Sequence, residues 1–236
     1  METEDESLEY AIGHTQVLRP PRQALETFGI TNIHYYMLTA PAYTDLVAGE
    51  GETVVREGQV IAERPRVVTP YYLINLQGFS HHARMYLEKM AQEGHSSPAL
   101  LYRYRNEIKG LSIVSEPLDQ LAQKLVEKLE REGIALASII KGVDELWDVS
   151  LLRFIHEFTI RSLRSNVMDL GKMGLLEIDR AGVPLDARRR IEELFLRVRE
   201  GQVSPSELKA ELDCWGLWPE YEDRFLALFQ KRPQSR

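Results

Sequence analysis

The amino-acid sequence predicts an α+β fold, a sheet domain followed by a helical C-terminal third. Three observations carry that prediction. Runs of β-branched and aromatic residues recur between residues 30 and 140, apolar stripes at helical spacing take over after Trp147, and glycine or proline punctuates the junctions. A length of 236 residues fits one domain with an appendage. The expected divisions are an acidic tail at 1–9, a sheet domain at 10–143 and a helical subdomain at 144–236.

The tail holds five acidic groups and little to bury, so it reads as solvated. Ile30 to Leu38 contains Ile33, Tyr35, Tyr36 and Met37, residues that suit a pleated, half-buried strand. Thr53–Arg56 and Gln59–Arg64 flank Glu57-Gly58, which predicts a hairpin closed by Pro65. Val67 to Leu76 predicts a strand interrupted at Pro70, an edge or bulge signature. Ser80 then caps a helix with Ala83, Tyr86, Leu87, Met90 and Ala91 on one face, ended by Gly94.

Leu100–Arg105 alternates, a turn is expected at Asn106–Gly110, and Leu111–Ser115 returns as a strand. Pro117 sits in the first turn of a helix whose buried stripe is Leu118, Leu121, Ala122, Leu125 and Leu129. Ile134–Ile140 is short and continuously apolar, as a buried strand is. The succession over 67–140 is therefore β-α-β-β-α-β. It resembles the ferredoxin-like arrangement, a sheet with two helices on one face, here with an N-terminal β extension.

Beyond Trp147 a helix through Leu163 is apolar on most sides, which predicts a buried connector. Pro184 and Asp186 open the next, with Ile191, Leu194, Phe195 and Val198 inward. Ser204, Pro205 and Glu207 form a capping box with proline at the first helical position, and Pro219 starts the last helix. Ser165–Val183 is similar to the helix, Gly-Leu and hairpin of winged-helix proteins, but no basic recognition helix precedes it, so it reads as a bundle linker.

Composition bounds the function. Hydrophobic residues make up 44% and charged ones 28%, ordinary for a self-folding chain, and no stretch is long and apolar enough to span a bilayer. The acidic N-terminus is unlike a secretory or transit peptide, so the expected location is the cytoplasm. Cys214 has no intramolecular thiol partner, and its expected role is packing beside Trp215. A net charge of -7 disfavours a surface that tracks nucleic acid throughout.

Chemical motifs are sparse. Gly171-Lys172 lacks the other residues of a phosphate loop, so no nucleotide cofactor is expected. His81 and His82 are neighbours that point about 100° apart on a helix, and His156-Glu157 has Ile160 where a second zinc ligand belongs, so no metal is expected. Asp144, Glu145 and Asp148 suit a helix N-terminus better than a calcium loop. No nucleophile elbow is present.

Two constellations remain. Arg64, Arg66, Arg103 and Arg105, with Arg188, Arg189 and Arg190, are the candidate anion or nucleic-acid patch, although Glu192, Glu193 and Glu200 dilute the second group. Trp215, Trp218, Tyr221, Phe225 and Phe229 are candidate anchors for a protein partner or a second copy. The sequence thus favours a non-catalytic interaction or regulatory protein, working through its sheet edge or its aromatic C-terminal helices, over a nucleic-acid-associated protein or an enzyme.

Overall fold

A computed structural model describes residues 4–42, 51–69, 72 and 99–229. The chain divides into two compact units, one of residues 1–65 and 102–169, the other of 66–101 and 170–236.

The first unit is built on a five-stranded mixed sheet of β1 (Gln16–Arg19), β2 (Thr31–Thr39), β3 (Thr53–Ala62), β6 (Tyr104–Val114) and β7 (Ala137–Gly142), in the order β1-β7-β2-β3-β6. β2 and β7 run parallel, and every other neighbouring pair is antiparallel. The crossover from β6 to β7 is α2 (Leu118–Arg131), and β7 leads into α3 (Trp147–Lys172), whose last residues enter the second unit. A further helix, α1 (Glu4–His14), precedes the sheet.

Strand alternation sends side chains to two cores. Ile33, Tyr35, Met37, Val60 and Ile140 pack with Leu151, Phe154, Ile155 and Phe158 of α3. Leu38, Val55 and Ile139 face the other way, with Ala122 and Leu129 of α2. The expected α2 stripe is therefore the packed one. Polar ties hold the loop before β2 onto α3, where Ser162 Oγ accepts from Leu25 N–H at 3.0 Å and Asn166 Nδ2 donates to the Leu25 carbonyl at 2.8 Å.

In the second unit β4 (Arg66–Val68) pairs with β5 (Ala99–Leu101), and α4 (Leu185–Arg199), α5 (Pro205–Cys214) and α6 (Trp218–Leu226) surround Ile191, Phe195, Leu208, Leu212 and Trp215. The Asp186 carboxylate accepts the Val67 N–H at 3.1 Å, seating β4 against α4. The N-cap half of the expected capping box at α5 is present, with Ser204 Oγ accepting from Glu207 N–H at 3.3 Å.

The protein is α+β, but this strand order does not confirm the ferredoxin-like arrangement expected over 67–140. Two expected turns lie inside continuous strands. Glu57-Gly58 is mid-β3, because Gly58 provides the bare backbone against which the Tyr35 ring packs. Asn106–Gly110 is mid-β6, where a register shift leaves Lys109 as a bulge. Of the run from Val67, Val67 and Val68 belong to the separate two-stranded sheet, and the expected Ser80–Gly94 helix lies outside the described residues. Helix starts at Glu4, inside the stretch expected to be a solvated tail, and α3 continues through the segment expected to be a linker helix near Asn166.

Candidate interaction surface

The sheet of the first unit has two edges, and the sequence treats them differently. β1 is four residues long, has a register shift between Val17 and Arg19, and runs into Pro20-Pro21. Those features blunt an edge, since proline cannot donate to a ladder and a bulge twists the backbone away. β6 is eleven residues long and among the described residues pairs only with β3. Among the described residues no strand pairs with its outer side, which makes it a template for another strand.

β6 also carries an apolar row. Through the β3 register Ile108, Leu111 and Ile113 stand beside Gly58, Arg56 and Val54, on the α3 side of the sheet. They are 62%, 66% and 58% exposed. The Lys109 bulge is what keeps them in line, because the extra residue restores the alternation after Ile108. Lys109 itself turns back and donates to Gln59 Oε1 at 2.7 Å.

α3 adds a second apolar element on the same side. Leu152, Ile160, Leu163 and Val167 are exposed and share one flank of the helix, next to Thr159, whose hydroxyl bonds the Tyr104 hydroxyl of β6. That α3 is apolar on most sides is legible in the sequence, but only one face of the helix is buried. β6 is not legible as a single strand, because Asn106 and Gly110 are turn-formers and the bulge breaks the period-two pattern.

A crevice of about 400 Å³ opens where β2 and β7 end, lined by Tyr10, His14, Pro41, Lys141, Gly142 and Asp144. The carboxyl ends of parallel strands are common ligand positions. Two of the charged groups that line it are engaged, and Glu145 lines it as well. Asp144 Oδ1 accepts from Thr39 Oγ1 and Arg56 Nη1, both at 2.6 Å, and Lys141 pairs with Asp119 at 3.2 Å. Burial would raise the Asp144 carboxyl, but the bonds from Thr39, Arg56 and the Ala42 amide, with the Arg56 charge, hold it below the ordinary carboxylate value. His14 stacks on Tyr10 at 3.8 Å and donates to the Tyr10 carbonyl.

The arginines fall in two units. Arg64, Arg103 and Arg105 belong to the first, where Arg64 is half-buried, Arg103 is exposed and Arg105 pairs with Glu107 at 3.0 Å. Arg66, Arg188, Arg189 and Arg190 belong to the second. Arg188 meets Asp179 at 2.8 Å and Glu220 at 2.6 Å, Arg189 meets Glu193 at 3.3 Å, and Arg190 meets Glu211 at 3.5 Å. Their positive field is largely cancelled at close range.

The aromatic anchors separate by burial. Trp215 and Phe225 are core, Trp218 and Tyr221 are half-buried, and Phe229 is 59% exposed. Cys214 is half-buried beside them, and burial, then Glu211 and Asp213, push its thiol up, away from thiolate reactivity. Among the described residues no group of three or more His, Cys, Asp or Glu could hold a metal ion, and no helix is long and apolar enough to cross a membrane. No family model matches the chain, and neither a curated protein nor a solved structure matches it.

Proposed function

We propose that the chain is a non-catalytic interaction protein that receives an extended segment of a protein partner on β6. The observation that carries this reading is the exposed row Ile108, Leu111 and Ile113 along an eleven-residue edge strand. Strand addition draws affinity from main-chain hydrogen bonds and specificity from alternate side chains, and this edge offers both. The contrast with the blunted β1 edge supports it further, since native proteins cover or interrupt long apolar edges that have no use. The ion-paired arginines of α4 favour a protein partner over nucleic acid. Asp144 of the crevice is engaged by Thr39 and Arg56, which supports a structural role for it over a catalytic one.

The test is selection of extended peptides against the purified chain, followed by amide mapping. Binders are expected to shift the β6 amides between Tyr104 and Val114 and to lose affinity for the Leu111→Lys/Ile113→Lys variant. Binding that maps elsewhere, or is indifferent to the two lysines, overturns the reading.

A further inference from the structure

We propose that the segment received on β6 is β6 of a second copy, paired antiparallel about a two-fold axis through Asn106. This rests on the strand-addition reading above. Before its bulge β6 has a straight run, Tyr104 to Ile108, and two of its residues carry opposite charges on one face, Arg105 and Glu107. Within one copy they meet at 3.0 Å, and their side chains are 70% and 45% exposed.

That pattern is self-complementary in one register. With the axis at Asn106, Arg105 of each copy stands opposite Glu107 of the other, two favourable cross-strand pairs, and Tyr104 stands opposite Ile108. Beyond the bulge, where two residues oppose one, Leu111 falls opposite Tyr102, so the apolar row meets the stacked Tyr102–Tyr104 rings. A shift of the axis to Glu107 sets that carboxylate against its own copy and Arg105 against Lys109, both like-charge contacts. A shift to Ile108 carries the bulge into the middle of the ladder. In the Asn106 register Arg103 stands opposite the bulge, and Lys109 is drawn away from it by its bond to Gln59. The interface is isologous, as a closed dimer requires.

The experiment is sedimentation of the full chain and three variants, Arg105→Glu, Glu107→Arg and the double exchange. The wild type is expected to be a dimer, each single reversal to raise the dimer Kd about tenfold or more, and the double exchange to restore it. In a Cys214→Ser background Asn106→Cys is expected to give a disulfide-linked dimer, because residues facing each other across a two-fold have Cα atoms about 4.5–5.5 Å apart. Glu107→Cys, more than about 7 Å from its copy, is expected to give none. A monomeric wild type, or a dimer unaffected by the reversals, overturns the second copy as occupant. A monomer that still binds extended peptides on β6 leaves strand addition standing, whereas one that binds none removes both.

Discussion

Arg56 in the middle of β3 reaches past β2 to Asp144 just beyond β7, with Nη1 and Oδ1 2.6 Å apart and the guanidinium 5.6 Å from the Trp147 ring. Both side chains are less than one-fifth exposed, at 16% and 19%, so the pair is little screened. It ties three strands to the start of α3. Asp144 is held below its ordinary value of 3.8, so the folded state binds fewer protons there than the unfolded chain. The stabilisation is then complete above about pH 4 and lost as pH falls through the folded value. Asp144→Asn is expected to cost about 1–3 kcal/mol at neutral pH and to flatten the acid limb of a urea-midpoint profile. An unchanged acid limb would assign the lowered value no structural weight.

Gly58 is required by the Tyr35 ring on the neighbouring strand. A Cβ at 58 would overlap the Tyr35 hydroxyl and two of its ring carbons, and Tyr35, fully buried, has its hydroxyl fixed on Asn106 Oδ1 at 3.0 Å. Gly58→Ala is expected to destabilise by about 1–3 kcal/mol in denaturant unfolding. Gly110→Ala, with nothing within 4 Å of its Cβ, is expected to stay within about 0.5 kcal/mol of the wild type. Equal effects would mean that glycine matters in this sheet for backbone freedom alone.

The same glycine explains where sequence reading fails. β2, the α2 stripe, the Ser204 cap and the inward face of α4 follow from local periodicity and capping, which depend on residues within one element. Gly58 and Gly110 imitate turns, because a strand glycine demanded by a ring on the next strand, or standing beside a bulge, looks locally like a hairpin residue. The apolar row on β6 is hidden for that reason. The placement of β4 and β5 with the helical unit depends on Asp186 accepting the Val67 amide across more than a hundred residues, and no local pattern carries that.

The hydroxyl of Tyr102 donates to Asn166 Oδ1 at 2.8 Å, and burial, then the neighbouring Tyr104, push its pKa up to about 12 from 10.0. A raised value in the folded state means stability is kept below pH 10 and lost as pH rises from there through about 12. Tyr102→Phe leaves Asn166 short of a donor, so it is expected to cost about 1–3 kcal/mol at neutral pH, with a shallower loss on the alkaline side. Urea midpoints at neutral and alkaline pH measure both. A parallel downward shift at every pH would mean that Tyr102 ionises as freely folded as unfolded.

Glu211 organises the aromatic cluster of the second unit. Its carboxylate accepts from Tyr72 Oη at 3.2 Å and Trp215 Nε1 at 3.3 Å, and the residue is 9% exposed. A glutamine retains an acceptor for either ring but gives up the charge that faces Arg190, whereas a leucine leaves both ring donors buried without a partner. Glu211→Leu is therefore expected to cost about 1–3 kcal/mol per orphaned donor, more than Glu211→Gln, and Trp215→Ala about 3–5 kcal/mol. Phe229→Ser, at the exposed end of the same cluster, is expected to leave thermal unfolding nearly unchanged. A large loss from Phe229→Ser would place that ring with Trp215 as part of the core, and a small one leaves Phe229 as the aromatic of this group whose removal can test partner binding without disturbing the fold.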